Sequence, residues 1–346
     1  MLNDRIEYRW LQAFRRVFEM CKLEPGDQVA ILAETQSRSL NRELARLALE
    51  ALGVTVFEVV VPTPAQTAPV PIRSTGASQV LNGQKAALEA LMHAVMVVDL
   101  TVEGLLHAPQ LPAILGAGAR VLMISNEHPD ALERLVPEAS DEQAVRAAIK
   151  ACRSASLMTV SSNAGTDLRI DLTEARTGGV WGWCDRPGMV SHWPGGIVVN
   201  FPRPDSVNGT LVLDAGDINL TFKRYLERPV ELVIENDFVT AINGHGTDAE
   251  LMRRYLAAWG DREAYGVSHV GWGLSERARY EALTLYDRRD LNGTELRAFA
   301  GNFLYSTGAN EVAGRFTEGH FDLPVRNCTI RLDDRVVVEV GRLVPP

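Results

Sequence analysis

The residues best suited to chemistry are the histidines, His93, His107, His128, His192, His245, His269 and His320. A lone histidine is more often a surface or core residue than a ligand. His320 differs, because Gly319-His320-Phe321-Asp322-Leu323-Pro324 sets an imidazole and a carboxylate two apart. In an extended segment, residues i and i+2 project to the same side, so both can meet one ion while Phe321 packs on the other side. A third ligand must come from elsewhere. His269, in Tyr265-Gly266-Val267-Ser268-His269-Val270-Gly271-Trp272-Gly273, is the best candidate, since the glycines near it allow tight backbone approach around a buried site. Two imidazoles and one carboxylate form the facial triad of non-haem Fe(II) oxygenases, with positions open for substrate and dioxygen. The same donors serve zinc in hydrolases. Ligand types alone leave the metal open.

These residues need a scaffold, and the chain of 346 residues is long enough for two domains. Trp10, Phe14, Val17, Phe18 and Cys21 fall at helical spacing over 9–21. Gln28 to Ala33 reads as a short buried strand, Ser39 to Leu52 as a helix ended by Gly53, and 54–61, 95–100 and 121–125 as further strands. Strands separated by helical lengths imply a parallel sheet with helices on its faces. The turn after the first strand, Glu34-Thr35-Gln36-Ser37, lacks the GxGxxG pattern, so a nicotinamide cofactor is not expected. From about residue 156 short strands dominate: 168–172, 196–200, 209–213 and 230–234. Helices are expected at 248–259 and 276–286, and closing strands at 329–332 and 336–343. The expected fold is α/β, with an open parallel-sheet domain over 1–156 and an α+β domain over 157–346 that carries the metal site.

Composition narrows the function. Apolar residues make up 46% and charged residues 23%, ordinary for a globular enzyme. A net charge of −9 argues against nucleic acid or anionic lipid as a partner, since both need a basic face. No apolar stretch is long enough to span a membrane, and MLNDRIEYRW has no apolar core of the signal-peptide kind. Cys21, Cys152, Cys184 and Cys328 are scattered, with no metal clip or disulfide framework. A cytoplasmic location is the expectation.

The run Ser191-His192-Trp193-Pro194-Gly195-Gly196-Ile197 through Asp205-Ser206-Val207-Asn208-Gly209 resembles a signature of the aminopeptidase T metallopeptidases. In that family a metal-binding Glu follows the double glycine, where this chain has Ile197. A second family Glu aligns with His269. A family His before a Gly-x-Asn turn aligns near Leu304 or Tyr305, and the terminal His-x-Asp survives as His320 and Asp322. A two-metal site needs several carboxylates to neutralise two dications. Loss of two Glu and a His leaves ligands for one ion. This pattern is similar to the 2,5-dihydroxypyridine 5,6-dioxygenase family, and the resemblance spans essentially the whole chain.

The resemblance implies one Fe(II) per subunit, held by His269, His320 and Asp322. It implies cleavage of a small N-heterocyclic diol by dioxygen between C5 and C6 to N-formylmaleamate, as in nicotinate degradation. His107 follows the strand ending at Leu100, on the carboxyl side of a parallel strand where such sheets collect functional groups. The resemblance points to the same residue as the base for the substrate hydroxyl. Arg297 is a candidate for the ring's anionic oxygen; the bland alternative is a surface Arg paired with Glu295 or Asp290. Ser306, before the Gly308 turn, and His192, beside the Pro-Gly-Gly turn, are further candidates for substrate contact. Trp181, Trp183, Trp193 and Trp272 read as core. A cleft fed by two domains favours a homo-oligomer. The competing readings are a metallo-aminopeptidase of the parent family and an inactive binding protein on the same scaffold.

Overall fold

A computed structural model describes residues 5–65 and 78–345. The first layer is a parallel sheet in the order Thr55–Val61, Gln28–Glu34, Met96–Asp99, Arg120–Met123, Val190–His192. Its inner strands Met96–Asp99 and Arg120–Met123 are buried at every residue, and apolar but for Asp99 and Arg120 at their ends. On one side lies the helix Tyr8–Met20, packed against Ser39–Glu50; its Phe14, Val17 and Phe18 are fully buried. Each such side chain stabilises the fold by about 2 kcal/mol.

The fifth strand of this sheet lies beyond the expected boundary at 156/157. Val190–His192 returns from the later part of the chain to pair in parallel with Arg120–Met123. Trp181, Trp183 and Trp193 accompany it into the core beneath the first helix.

The rest of the molecule is antiparallel. An eight-stranded sheet, which includes Leu157–Ser161, Asp167–Asp171, Val207–Leu213 and Val230–Glu235, encloses the larger core together with a five-stranded sheet. The five-stranded sheet runs in the order Phe321–Val325, Phe303–Thr307, Val267–Gly273, Ile197–Phe201, Arg176–Val180. Its alternation is regular except at a bulge between Val267 and His269. Val270, Trp272, Phe303, Tyr305, Phe321, Leu323 and Val325 enter the shared core, so their neighbours His269, Ser306 and Asp322 project from the opposite face.

Two sequence expectations are corrected. In the region 276–286 only Ala282–Leu285 is α-helical. Residues before it are drawn out by tertiary bonds: Arg279 N donates to Glu295 (2.6 Å), and the Tyr280 hydroxyl donates to the Gly216 carbonyl (2.5 Å). The closing strand 336–343 is also broken, into Arg335–Glu339 and Arg342–Leu343, by a turn at Val340 and Gly341, both at positive φ. Among the described residues no helix is long and apolar enough to cross a membrane.

Candidate functional site

Register brings the polar groups together. His269 stands opposite Ser306, and Ser306 opposite Asp322, on three adjacent strands. Residues directly opposite in an antiparallel ladder have Cβ atoms about 5 Å apart, so three positions distant in sequence share one patch. His320 precedes the Asp322 strand and points into the same patch. Its Nε2 lies 3.2 Å from Asp322 Oδ1, and His269 Nε2 lies 3.9 Å from the same oxygen. The two imidazole rings are 5.8 Å apart and nearly parallel. His269 Nδ1 is 3.0 Å from the Ser268 hydroxyl, and the Tyr255 hydroxyl bonds both backbone polar atoms of His320. Phe201 packs 5.4 Å from the His269 ring.

Each oxygen of Asp322 accepts a hydrogen bond. The Ser306 hydroxyl donates to Oδ1 and Arg297 Nε to Oδ2. Burial works to raise its pKa, but Arg297 and the His320 imidazole outweigh that and hold the carboxyl well below its usual range. Arg297 is thus neither on a free surface nor paired with Glu295 or Asp290. Glu295 instead takes both guanidinium nitrogens of Arg134, and Asp290 takes Arg38.

The parallel sheet contributes from its carboxyl edge. His107 sits on the loop after Met96–Asp99, its ring 4.9 Å from that of His320 and 6.0 Å from that of His269. Its Nε2 is buried without a hydrogen-bond partner. Asp99 shapes that loop, accepting from Thr101 N and Oγ1 through Oδ1 and from Leu105 N through Oδ2. Asn292 Nδ2 donates to the Val102 carbonyl (3.0 Å), which ties the loop to the segment bearing Arg297. His192 ends the fifth strand of the same sheet, and the charges it feels include Arg297 and Asp322.

Burial pushes His269 down to about 3 and His192 to about 4. It also holds His107 well below its ordinary value, with help from the neighbouring imidazoles. At neutral pH these imidazoles are uncharged beside an ionised carboxylate, the protonation states a metal requires of its ligands. His320 Nδ1 is buried without a partner as well. Among the described residues, no three His, Cys, Asp or Glu side chains already stand at closed ligand spacing. Neighbouring ligands of an ion at about 2.1 Å lie about 3 Å apart. The His320 leg, at 3.2 Å, is close to that spacing, and the His269 leg, at 3.9 Å, is longer. The donor set fits one divalent cation. A second finds nothing at Ile197, whose side chain packs in an apolar cluster with Ala298 and Leu304.

Sequence reasoning did not single out Ser268, Asp99, Asn292 or Glu127, whose Oε1 takes the backbone N–H groups of Gly293 and Thr294. Asp99 had a signal: a carboxylate closing the otherwise apolar strand Met96–Asp99. The other three act through tertiary contacts that no local pattern announces. The four tryptophans singled out in the sequence are all buried in hydrophobic cores.

The fold is an aminopeptidase-T-like α/β scaffold. A solved structure of AmpT from Thermus thermophilus matches with a TM-score of 0.66 at 15% identity, over 97% of this chain and 99% of that one. The family is narrower. The chain belongs to the 2,5-dihydroxypyridine 5,6-dioxygenase family, whose sequence model matches residues 9–345. The 2,5-dihydroxypyridine 5,6-dioxygenase of Pseudomonas putida KT2440 is 39% identical over 339 residues, covering 97% of this chain and 96% of its own. A solved structure of the 2,5-dihydroxypyridine dioxygenase from Pseudomonas putida KT2440 matches with a TM-score of 0.92 at 38% identity, over 100% of this chain and 99% of that one. The chain is thus a ring-cleaving dioxygenase by family.

Proposed function

We propose that this chain opens 2,5-dihydroxypyridine between C5 and C6 with dioxygen, giving N-formylmaleamate, and that His269, His320 and Asp322 hold a single Fe(II) in each subunit. The observation that carries the reading is the approach of two imidazole Nε2 atoms, those of His269 and His320, to one ionised carboxylate oxygen, beside the ring of His107. When bound, such an ion supplies the one-electron chemistry that lets triplet dioxygen react with a singlet ring.

The protein's own groups do the rest. Arg297 and Ser306 keep Asp322 charged and fixed in orientation. His107, neutral and with Nε2 unpartnered, is the group placed to accept the proton of the substrate hydroxyl. Ser306, Arg297 and His192 would contact the substrate ring, the Arg297 guanidinium complementing an anionic ring oxygen. Substrate enters between the parallel-sheet half, residues 1–156, and the half from 157 onward; we read these as two domains that share the Val190–His192 strand. A cytoplasmic homo-oligomer belongs to the same proposal. Its support is Thr55–Val61, an edge strand of the sheet among the described residues, with Val60 exposed.

The test is oxygen uptake by protein loaded anaerobically with Fe(II) and offered 2,5-dihydroxypyridine, with ring absorbance followed in parallel. Equimolar loss of oxygen and of the ring is expected. Hydrolysis of leucyl peptides with added cobalt or zinc, without oxygen uptake, would replace this reading with a metallo-aminopeptidase.

A further inference from the structure

We infer that Ser268 is a positioning residue that decides which nitrogen of His269 carries the proton, leaving Nε2 open toward Asp322. The inference rests on reading His269 as a metal ligand.

In a regular strand, successive side chains point to opposite faces, so Ser268 and His269 should not meet. The ladder is irregular here. Val267 pairs with Thr307 and His269 with the very next residue, Ser306, so Ser268 is an extra residue without a partner across the sheet. A bulge of this kind re-aims a side chain. The result is a Ser268 Oγ to His269 Nδ1 separation of 3.0 Å between two buried neighbours.

The serine hydroxyl has one proton, and its direction is determined by what lies beyond it. Ser268 Oγ is 2.5 Å from the Ala309 carbonyl oxygen. A carbonyl oxygen can only accept, so the hydroxyl proton lies on that line. Ser268 Oγ then has only lone pairs to offer Nδ1, and Nδ1 must carry the ring proton. A neutral imidazole has one N–H, so Nε2 keeps its lone pair, directed to the side where Asp322 Oδ1 stands. The same turn reaches the other imidazole. Gly308 sits at φ +120, and a Cβ there would approach His320 Nδ1 to 3.2 Å. The 308–310 turn therefore meets His269 through Ser268, and at Gly308 it leaves no room for a side chain beside His320.

Ser268→Ala removes the acceptor. The buried Nδ1–H then loses its partner, and the ring is free to adopt the tautomer that blocks Nε2. Outer partners of ligating histidines typically change metal affinity by roughly 10- to 100-fold. The experiment uses the metal-free full chain with ¹⁵N-labelled histidine and calorimetric titration of Co(II). We expect the His269 signal of the unmodified protein to report Nδ1–H. We expect Ser268→Ala to bind Co(II) roughly 10- to 100-fold more weakly, with its unfolding midpoint little changed, and Ser268→Thr to restore much of the affinity. An Nε2–H tautomer in the unmodified protein overturns the inference, and that result stands even if Ser268→Ala does not fold. Full Co(II) affinity in Ser268→Ala overturns it too. His269→Ala separates the two levels: if it retains Co(II) affinity, the ligand reading itself has failed. If His269→Ala loses affinity while Ser268→Ala keeps it, only the role of Ser268 is wrong.

Discussion

Arg297, on the short helix Thr294–Ala298, donates through Nε to Oδ2 of Asp322, so the carboxylate of the proposed metal site is already one partner of an ion pair. The guanidinium is held in turn by Asn292 Oδ1, 3.2 Å from Nη1. Its charge lowers the pKa of Asp322 in a place where burial works to raise it. Removing one partner of such a pair leaves an uncompensated buried charge, which costs about 3–5 kcal/mol. Arg297→Gln should lower the unfolding free energy of the metal-free protein by that order in denaturant titration. Arg297→Lys, which keeps the charge but not the planar fork, should lose less.

His107 is the residue whose removal should separate metal binding from turnover. Its ring lies against the imidazoles of His269 and His320, the proposed ligands, and its Nε2 has no hydrogen-bond partner. His107→Ala should bind metal as the parent does and lose roughly 100- to 10,000-fold in kcat. Oxygen uptake across pH checks it. The deficit should be largest in acid, where the substrate hydroxyl stays protonated without help.

A second ion pair joins the two halves. Arg134 donates to Glu295, whose side chain is fully buried, and also to the Arg277 carbonyl and the Tyr286 hydroxyl (both 3.0 Å). Glu295 lies two residues from Arg297, so this pair anchors the helix that reaches Asp322. Glu295→Leu or Arg134→Met alone should destabilise by about 3–5 kcal/mol, and the double variant by less than the sum, since it buries no lone charge. A double-mutant cycle in denaturant reads the coupling.

Acid should weaken the metal-free fold through its buried histidines. His192 titrates near 4 in the folded chain against 6.5 when free, and His269 near 3. Between those values the unfolded chain binds the extra protons, so the stabilisation is complete above about pH 6.5 and falls as pH drops. Each site contributes a slope of up to about 1.4 kcal/mol per pH unit. His192→Gln should make the curve of unfolding free energy against pH shallower by one proton between pH 6 and 4. An unchanged slope would show that His192 does not stay neutral on folding.

What could be read in advance was whatever depends on local period. The stripe of Phe14, Val17 and Phe18, the β-branched strands of the first sheet and the i, i+2 spacing of His320 and Asp322 each announce their geometry in a few residues. Helix 276–286 fails because tertiary bonds from Arg279 and Tyr280 override its periodicity. Ser268 was invisible because an unpaired residue in a ladder depends on the partner strand. The link between Arg297 and Asp322 spans 25 residues, so the identity of Arg297's partner could not be anticipated from its helix.

The strand Val190–His192 has an evolutionary and practical corollary. A polypeptide cut at residue 156 would leave Arg120–Met123 with a bare backbone edge and Phe14 without the Trp193 ring that packs 4.9 Å away. The two halves are therefore interlocked rather than modular. Gene shuffling could not exchange one for a foreign counterpart without carrying that strand along, and a split-protein reporter would reassemble best if severed elsewhere.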